Sequence, residues 1–506
     1  MTGTLIDSSK WWAAIRKDQP AIVTQDDRIT YAELDTWAEA LCDWLIDEGV
    51  QVGDRVSIFA TNCLEWCILA QGIMRAGAIL APVNARFTVS EASYMLGRYE
   101  SKVLFHDSAR KDAAEELLSS APDLRLKSLS EVTAFRKRPS SRRDTREGIT
   151  ADTNVVIIPT SGSTARPKGV VYSHRTMLNY QTEFALAEPA AIDHARLLLF
   201  APLSTSAGYV LLTQFLAYGG TVYVYDAFDP ERALECIVEE KITSVMGAPV
   251  FLERIAACDG FAEADLSHVR MTSCGGARVS RQLLEAWMKK GVLLRQIYGQ
   301  TEVGGQCTIN TLEAAVTNPE KCGRGMPFTR MAIMDSAGNF LPPNTPGEIV
   351  VKGPGTMVGY WNDPEATAKT VVDGWLHTGD LGVIDEDGLL TMLDRIKDII
   401  ISGGLNISAA ELERVISEFP GIDEVAAIAA KDERFGETPL AVLYSSSGID
   451  VKQLIAHCCK HLSDYKVPRY VAVEKEPLPR LATGKIAKPP LRAKYVNAHE
   501  QLPRVR

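Results

Sequence analysis

The residues best suited to chemistry lie between positions 159 and 169, where the chain reads Pro159-Thr-Ser-Gly-Ser-Thr-Ala-Arg-Pro-Lys-Gly169. Gly162 and Gly169 free backbone N–H groups to point inward, Thr160, Ser161, Ser163 and Thr164 add hydroxyls, and Lys168 adds a positive charge. Such donors converge on phosphate oxygens, because N–H groups, hydroxyls and an ammonium all favour a multiply charged anion. A hydrophobic core has no use for that combination; the bland alternative is a solvated Ser/Thr-rich turn. The spacing from Gly162 superficially fits GxxxxGK[ST], but Pro167 takes the second glycine position and Gly169 the metal-binding hydroxyl position. A P-loop NTPase is therefore disfavoured.

The elements that must hold this loop are readable around it. The apolar run 155–158 leads straight into it and predicts a strand. Upstream, the helical pattern 31–48, opened by Thr30 with Glu33 three residues on, is followed by the short apolar runs 55–60 and 102–106. Downstream, runs of β-branched residues at 221–225, 244–247 and 293–297 end in turn residues. Strand alternating with helix predicts α/β layers with polar turns gathered at strand ends. Residues 130–152, polar and partly basic, read as a surface connector with a solvated charge run. From 323 to 395 Gly, Pro and Asp punctuate short apolar runs at 347–352 and 389–393, which reads as β-hairpins. An amphipathic helix at 409–418 then opens a compact C-terminal pattern.

Bulk properties exclude several classes. At 506 residues the chain exceeds one ordinary core, so two or more domains are expected. A net charge of -10 argues against a nucleic-acid-binding surface. The longest apolar stretches, 197–203 and 209–216, are interrupted and fall short of the roughly 20 residues of a bilayer span, so no integral membrane segment is expected. The ten cysteines show no CxxC pair or Cys/His cluster, and the chain opens with no apolar signal segment; reduced thiols and a cytoplasmic location follow as expectations.

The 159–169 loop resembles the phosphate-binding signature of the adenylate-forming superfamily, which contains acyl-CoA synthetases, firefly luciferase and the adenylation domains of nonribosomal peptide synthetases. The family's other signatures follow in order over roughly residues 25–492. Tyr298-Gly-Gln-Thr-Glu302 is similar to YGxTE. The resemblance implies that Thr301 contacts the α-phosphate and the acyl carboxylate, that Glu302 holds Mg²⁺, and that Tyr298 and Gly299 flank the adenine with the backbone turn Gly275-Gly276-Ala277. Gly374-Trp-Leu-His-Thr-Gly-Asp380 resembles GWxxTGD, implying that Asp380 holds the ribose hydroxyls, and Arg395 of the following Asp-Arg pair also reaches the nucleotide. Lys397 would be the hinge, and Gly403 and Gly404 would line the pantetheine channel. Pro479-Arg-Leu-Ala-Thr-Gly-Lys485 resembles PRxxxGK, whose lysine acts in adenylation. The implied fold is α/β: a large N-terminal domain of α/β layers with a small β-barrel-like part (1–396), plus a small mobile C-terminal α+β domain (397–506). The implied substrates and cofactors are ATP, Mg²⁺, coenzyme A and a small-molecule carboxylic acid, and homodimers are common in the family.

Departures from the pattern concern the acyl group. Where acyl-CoA synthetases usually read PLFH, this chain has Pro202-Leu-Ser-Thr205, so the pocket entrance is expected to be wider or more polar, unless Ser204 and Thr205 merely cap local backbone. Leu203-Ser-Thr-Ser206 lacks the Asp with which amino-acid-activating relatives hold an ammonium. The implied lining, Thr205, Tyr209, Val210, Met246, Gly247, Cys274, Val303 and Gly304, carries no charge, which favours a monocarboxylate with an apolar or aromatic body over a dicarboxylate. Ala165 and Pro159 replace the family's usual Gly and aromatic residue.

A carboxylate is a poor acyl donor, so its attack on the α-phosphate of ATP, with loss of pyrophosphate, makes a mixed anhydride that a thiol can open. The resemblance implies that the small domain rotates about Lys397 between the two steps. Two other readings stand beside the CoA ligase: a stand-alone ligase that loads an acyl carrier protein, and a catalytically degenerate binding protein.

Overall fold

The computed structural model describes residues 3–119, 121, 123–139, 147–160, 167–277, 279–481 and 485–506. The chain divides into two compact units, one of Met1–Met331 with Val351–Leu376 and one of Ala332–Val350 with His377–Arg506.

Two seven-stranded sheets organise the first unit. One runs Gln296–Ile297, Met271–Gly275, Ser244–Gly247, Arg196–Leu199, Thr221–Val224, Pro20–Val23, Arg28–Thr30, parallel except for its last pair. Parallel strands need crossovers, and the helices Pro230–Glu239, Pro249–Ala256 and Arg281–Met288 supply them, burying Leu234, Leu252 and Trp287 in a shared core. The second sheet runs Gly359–Tyr360, Gly169–Ser173, Asn154–Pro159, Ile79–Leu80, Arg55–Phe59, Val103–His106, Arg125–Ser128. Helix Tyr31–Asp47 starts where Thr30 and Glu33 cap each other reciprocally, as their spacing predicts.

The connector expected over 130–152 is not all surface. Residues Leu129–Phe135 form a 3-10 helix whose Val132 is fully buried and accepts a hydrogen bond from Trp37 Nε1 at 2.9 Å. The first residue of its basic run, Arg136, pairs with Asp27 instead of facing water alone. Polarity concealed this packing because one valine and one carbonyl suffice to dock the segment.

Strand Trp375–Ile384 passes into the second unit at His377, and there its residues from Asp380 on pair antiparallel with Leu390–Arg395. A five-stranded sheet (Leu405–Ile407, Ile400–Ser402, Gly436–Tyr444, Glu424–Asp432, with Tyr470–Glu474 on the third) is covered on both faces. Alternation puts Ala427, Ala441 and Leu443 against helix Ala409–Ser417, and Ala426, Ile428, Leu440 and Val442 against Tyr470, Leu491 and Tyr495.

Candidate active site

The phosphate-loop candidate is the tip of a β-hairpin. Asn154–Pro159 and Gly169–Ser173 run antiparallel with Pro159 opposite Gly169, and Thr160 N–H donates to Lys168 O at 2.8 Å. A P-loop returns through a helix, whereas this loop returns through a strand, which agrees with the mismatch at Pro167 and Gly169. A Cβ on Gly169 would sit 2.4 Å from Ile157, so close strand packing accounts for this glycine. Ser161, Gly162, Ser163, Thr164 and Ala165 lie outside the described residues.

Lys168 Nζ lies 4.6 Å from the centroid of the Tyr360 ring, and Tyr360 OH donates to Glu302 Oε1 at 2.9 Å. The structure thus brings together Lys168 and Glu302, which are far apart in sequence, through a tyrosine that the motif reading did not pick out. Thr301 and Glu302 open a 3-10 turn, Thr301–Val303, closed by Gly304 at φ 86, whose N–H donates to Tyr172 OH at 3.0 Å. On Gly299 a Cβ would lie 1.9 Å from Gly305 O, so only glycine fits there.

Gly275 and Ile297 are register partners, so the turn Gly275-Gly276-Ala277 and the segment Tyr298-Gly299 leave neighbouring strand ends side by side. Gly276 has φ 79, a conformation that suits a turn presenting backbone groups outward. Tyr298 is buried, and its N–H donates to Thr308 Oγ1 at 2.7 Å.

Of the expected acyl-pocket residues, Gly247 and Cys274 are register partners, and Met246 precedes them on its strand. Tyr209, Val210, Met246, Cys274 and Val303 are all buried, and a Cβ on Gly304 would meet the Tyr180 ring at 2.8 Å. Thr205 is the N-cap of helix Ser206–Ala217: its hydroxyl donates to Pro202 O at 2.7 Å and accepts from Gly208 N–H at 3.3 Å. Its hydrogen bonds are thus local, as the capping reading expects.

The second unit gathers the remaining expected residues. Asp380 and Arg395 are opposite each other across two strands, with Arg395 Nε 3.3 Å from Asp380 Oδ1. Glu348 shapes the turn before Asp380, accepting from Gly379 N–H at 2.9 Å and pairing with His377 Nδ1 at 2.8 Å. Asp394 accepts from Ser408 Oγ at 2.7 Å and Ala410 N–H at 3.0 Å, tying the strand to the following helix. Burial, then the nearby Arg395 charge, lowers the Lys485 ammonium pKa to about 8, against the opposing pull of Asp380. Lys397 is exposed, and desolvation of its ammonium followed by the Arg395 charge lowers its pKa too. Gly403 and Gly404, at φ 58 and 82, make the turn between Ile400–Ser402 and Leu405–Ile407.

The donor set suits a magnesium nucleotide. No group of three or more His, Cys, Asp or Glu among the described residues could cage a metal, whereas Mg²⁺ needs only one or two carboxylates when phosphate oxygens and water complete its shell. Glu302, linked to Lys168 through Tyr360, would supply such a carboxylate. Sequence reasoning missed Tyr360, Tyr172, Glu348 and the capping role of Asp394, since each acts through a contact that chain spacing does not encode.

The chain belongs to the AMP-binding enzymes: that family matches residues 9–361, and the AMP-binding enzyme C-terminal domain matches residues 411–485. It is 36% identical to a feruloyl-CoA synthase of Amycolatopsis sp. over 92% of this chain and 94% of that protein. It is 32% identical to a long-chain-fatty-acid–CoA ligase of Mycobacterium tuberculosis over 93% and 94%. Among solved structures, o-succinylbenzoate CoA synthetase of Bacillus subtilis, in complex with its acyl-adenylate intermediate, is 26% identical with a TM-score of 0.87, covering 96% and 97% of the two chains. The activity is that of an acid–thiol ligase, using ATP and Mg²⁺ to form an acyl-adenylate and CoA to take up the acyl group. No helix among the described residues is long and apolar enough to cross a membrane.

Proposed function

We propose that this ligase activates a monocarboxylic acid with an apolar or aromatic body that bears one hydrogen-bonding oxygen. The observation that carries the reading is the uncharged, buried character of Tyr209, Val210, Met246, Cys274 and Val303, which leaves a second carboxylate or an ammonium without a partner. Ser206 adds the polar element: its Oγ is buried, has no hydrogen-bond partner among the described residues, and lies 3.4 Å from where a Cβ on Gly305 would stand. An oxygen on the acyl body that accepted from Ser206 would satisfy that hydroxyl. The feruloyl-CoA synthase and fatty-acid ligase relatives act, by their names, on acids of this general kind.

In this mechanism the acid carboxylate attacks the α-phosphorus of ATP and pyrophosphate leaves. Thr160, Lys168 and the hydroxyl loop hold the phosphates, Thr301 orients the α-phosphate against the carboxylate, and Glu302 would hold Mg²⁺, which when bound would neutralise phosphate charge. Gly275, Gly276, Ala277, Tyr298 and Gly299 receive the adenine, and Asp380 with Arg395 the ribose. Lys485 neutralises charge that builds on the carboxylate and α-phosphate. For the second step a rotation about Lys397, between functional domains 1–396 and 397–506, withdraws Lys485 and brings Gly403 and Gly404 to the pantetheine thiol, which displaces AMP. The compact units divide the chain at other positions, so the 396/397 boundary belongs to this proposed motion. A cytoplasmic setting suits ten free cysteines, and a homodimer completes the reading.

The test is pyrophosphate release across short aliphatic, medium aliphatic, alicyclic, benzoate-like and cinnamate-like acids, each with and without CoA. Release with hydroxy- or methoxy-aromatic acids that yields acyl-CoA is expected. Preference for a dicarboxylate or an amino acid would refute the substrate class, and release without acyl-CoA would move the acceptor to a carrier protein.

A further inference from the structure

We propose that Tyr360 is a positioning residue for the phosphate end of the nucleotide, holding the Lys168 ammonium and the Glu302 carboxylate aimed without letting them neutralise each other. The inference rests on the reading in which Lys168 meets phosphate oxygen and Glu302 holds Mg²⁺.

The backbone fixes Tyr360 between both partners. Strand Gly359–Tyr360 pairs with Gly169–Ser173, Tyr360 lies opposite Val170, and Trp361 N–H donates to Gly169 O at 2.8 Å. This ties Tyr360 to the strand that returns from the phosphate loop. On the other side, Met357 N–H donates to Glu302 O at 2.9 Å, so the same segment also holds the turn that carries the carboxylate. Tyr360 N–H is itself satisfied by Thr367 Oγ1 at 2.9 Å.

The side chain then serves two opposite charges with one neutral group. Its ring face takes the Lys168 ammonium at 4.6 Å, and its hydroxyl donates to Glu302 Oε1 at 2.9 Å. A cation and an anion converging on one site form an ion pair when nothing separates them, and each is then lost to its ligand until the pair is broken. A phenol avoids this, because the electron-rich face attracts an ammonium while the hydroxyl binds a carboxylate, and neither contact removes charge. Lys168 makes no ion pair among the described residues, in keeping with the arrangement. Tyr360 reaches the nucleotide only through these partners.

The experiment compares Tyr360→Phe and Tyr360→Leu with the unaltered full chain by calorimetric titration of ATP with Mg²⁺ and of AMP, without acid or CoA. Loss of a hydrogen bond to a charged group corresponds to roughly tenfold, so Tyr360→Phe should weaken Mg·ATP about tenfold and raise the Mg²⁺ concentration needed for half-maximal binding. Tyr360→Leu also loses the ring face and should weaken Mg·ATP by a further factor of about 3 or more. AMP, which lacks the outer phosphates, should bind all three within about twofold, because a hydrogen-bond loss confined to the phosphate end leaves the nucleoside contacts intact. Equal weakening of ATP and AMP would make Tyr360 merely structural and overturn the proposal, as would no change in either. If Tyr360→Leu does not fold, the Mg²⁺ requirement of the near-isosteric Tyr360→Phe decides alone. An unaltered chain that binds neither nucleotide refutes the underlying reading, whereas normal binding matched by both variants refutes only the role of Tyr360.

Discussion

Lys485 offers the sharpest test of the proposed two-step mechanism, which requires its charge while its surroundings make that charge labile. Burial, with Arg395 second, lowers its pKa from the usual 10.5 to about 8 in the free chain. That displacement amounts to about 3 kcal/mol against the charged form. At pH 7 roughly nine-tenths of the free enzyme carries the ammonium, and at pH 9 roughly one-tenth, since each pH unit past the pKa changes the ratio tenfold. The kcat/KM for ATP in acid-dependent pyrophosphate release without CoA reports the free enzyme, so it should fall about tenfold per unit above pH 8. The polyphosphate, once bound, favours the ammonium, so kcat at saturating ATP should fall only at higher pH. Lys485→Arg should remove the alkaline limb whatever its absolute rate, since a guanidinium does not titrate in this range. Lys485→Ala should lower adenylation by about 100-fold or more and leave thioester formation from supplied acyl-adenylate largely intact. The reasoning is refuted by a kcat/KM profile flat to pH 10, by the same limb in Lys485→Arg, or by equal loss of both half-reactions in Lys485→Ala.

Two further outcomes follow from buried polar groups. Thr205→Phe should cost about 1 kcal/mol, measured by denaturant unfolding, through loss of the helix cap, while the order of preference across the acid panel stays the same; a changed order would place Thr205 against the acyl group. His174 is almost wholly buried, accepts from Leu5 N–H at 3.2 Å, and is held neutral by desolvation with its pKa lowered from 6.5 to about 4. The unfolded chain binds this proton below about 6.5 and the folded chain only near 4, so stability drops as pH falls between them, by about 2 kcal/mol at pH 5. The melting-temperature drop from pH 7 to pH 5 should shrink in His174→Gln, and an equal drop would refute the assignment.

The elements legible in the sequence were those whose signal is local. Thr30 and Glu33 announced a helix that begins at Tyr31, and the run at 244–247 announced a strand with those bounds. The run at 293–297 shortened to Gln296–Ile297, because only those residues pair with Met271–Gly275. Asp380 and Arg395 were picked out by resemblance to family motifs, and the structure places them opposite each other across two paired strands. Tyr360 was not legible, since Lys168 reaches it through a strand pairing between segments nearly two hundred residues apart and Glu302 through a contact 58 residues away in sequence, which no local pattern reports. Val132 was hidden for the converse reason, as its polar neighbours masked a single buried contact.

The placement of charge follows a common logic in both units. In the first, the Lys168 ammonium and the Glu302 carboxylate both meet a neutral phenol, Tyr360. In the second, Asp380 and Arg395 pair directly, and this pair flanks Lys485 with one charge of each sign. Desolvation, and then the Arg395 charge, outweigh Asp380 and lower the Lys485 pKa. A lysine so poised gains on entering a polyphosphate site, which supplies the counter-charge that its resting place withholds, and gives up the same amount on leaving. In the proposed two-step mechanism, neutralising Arg395 should therefore raise the Lys485 pKa and move the alkaline limb to higher pH.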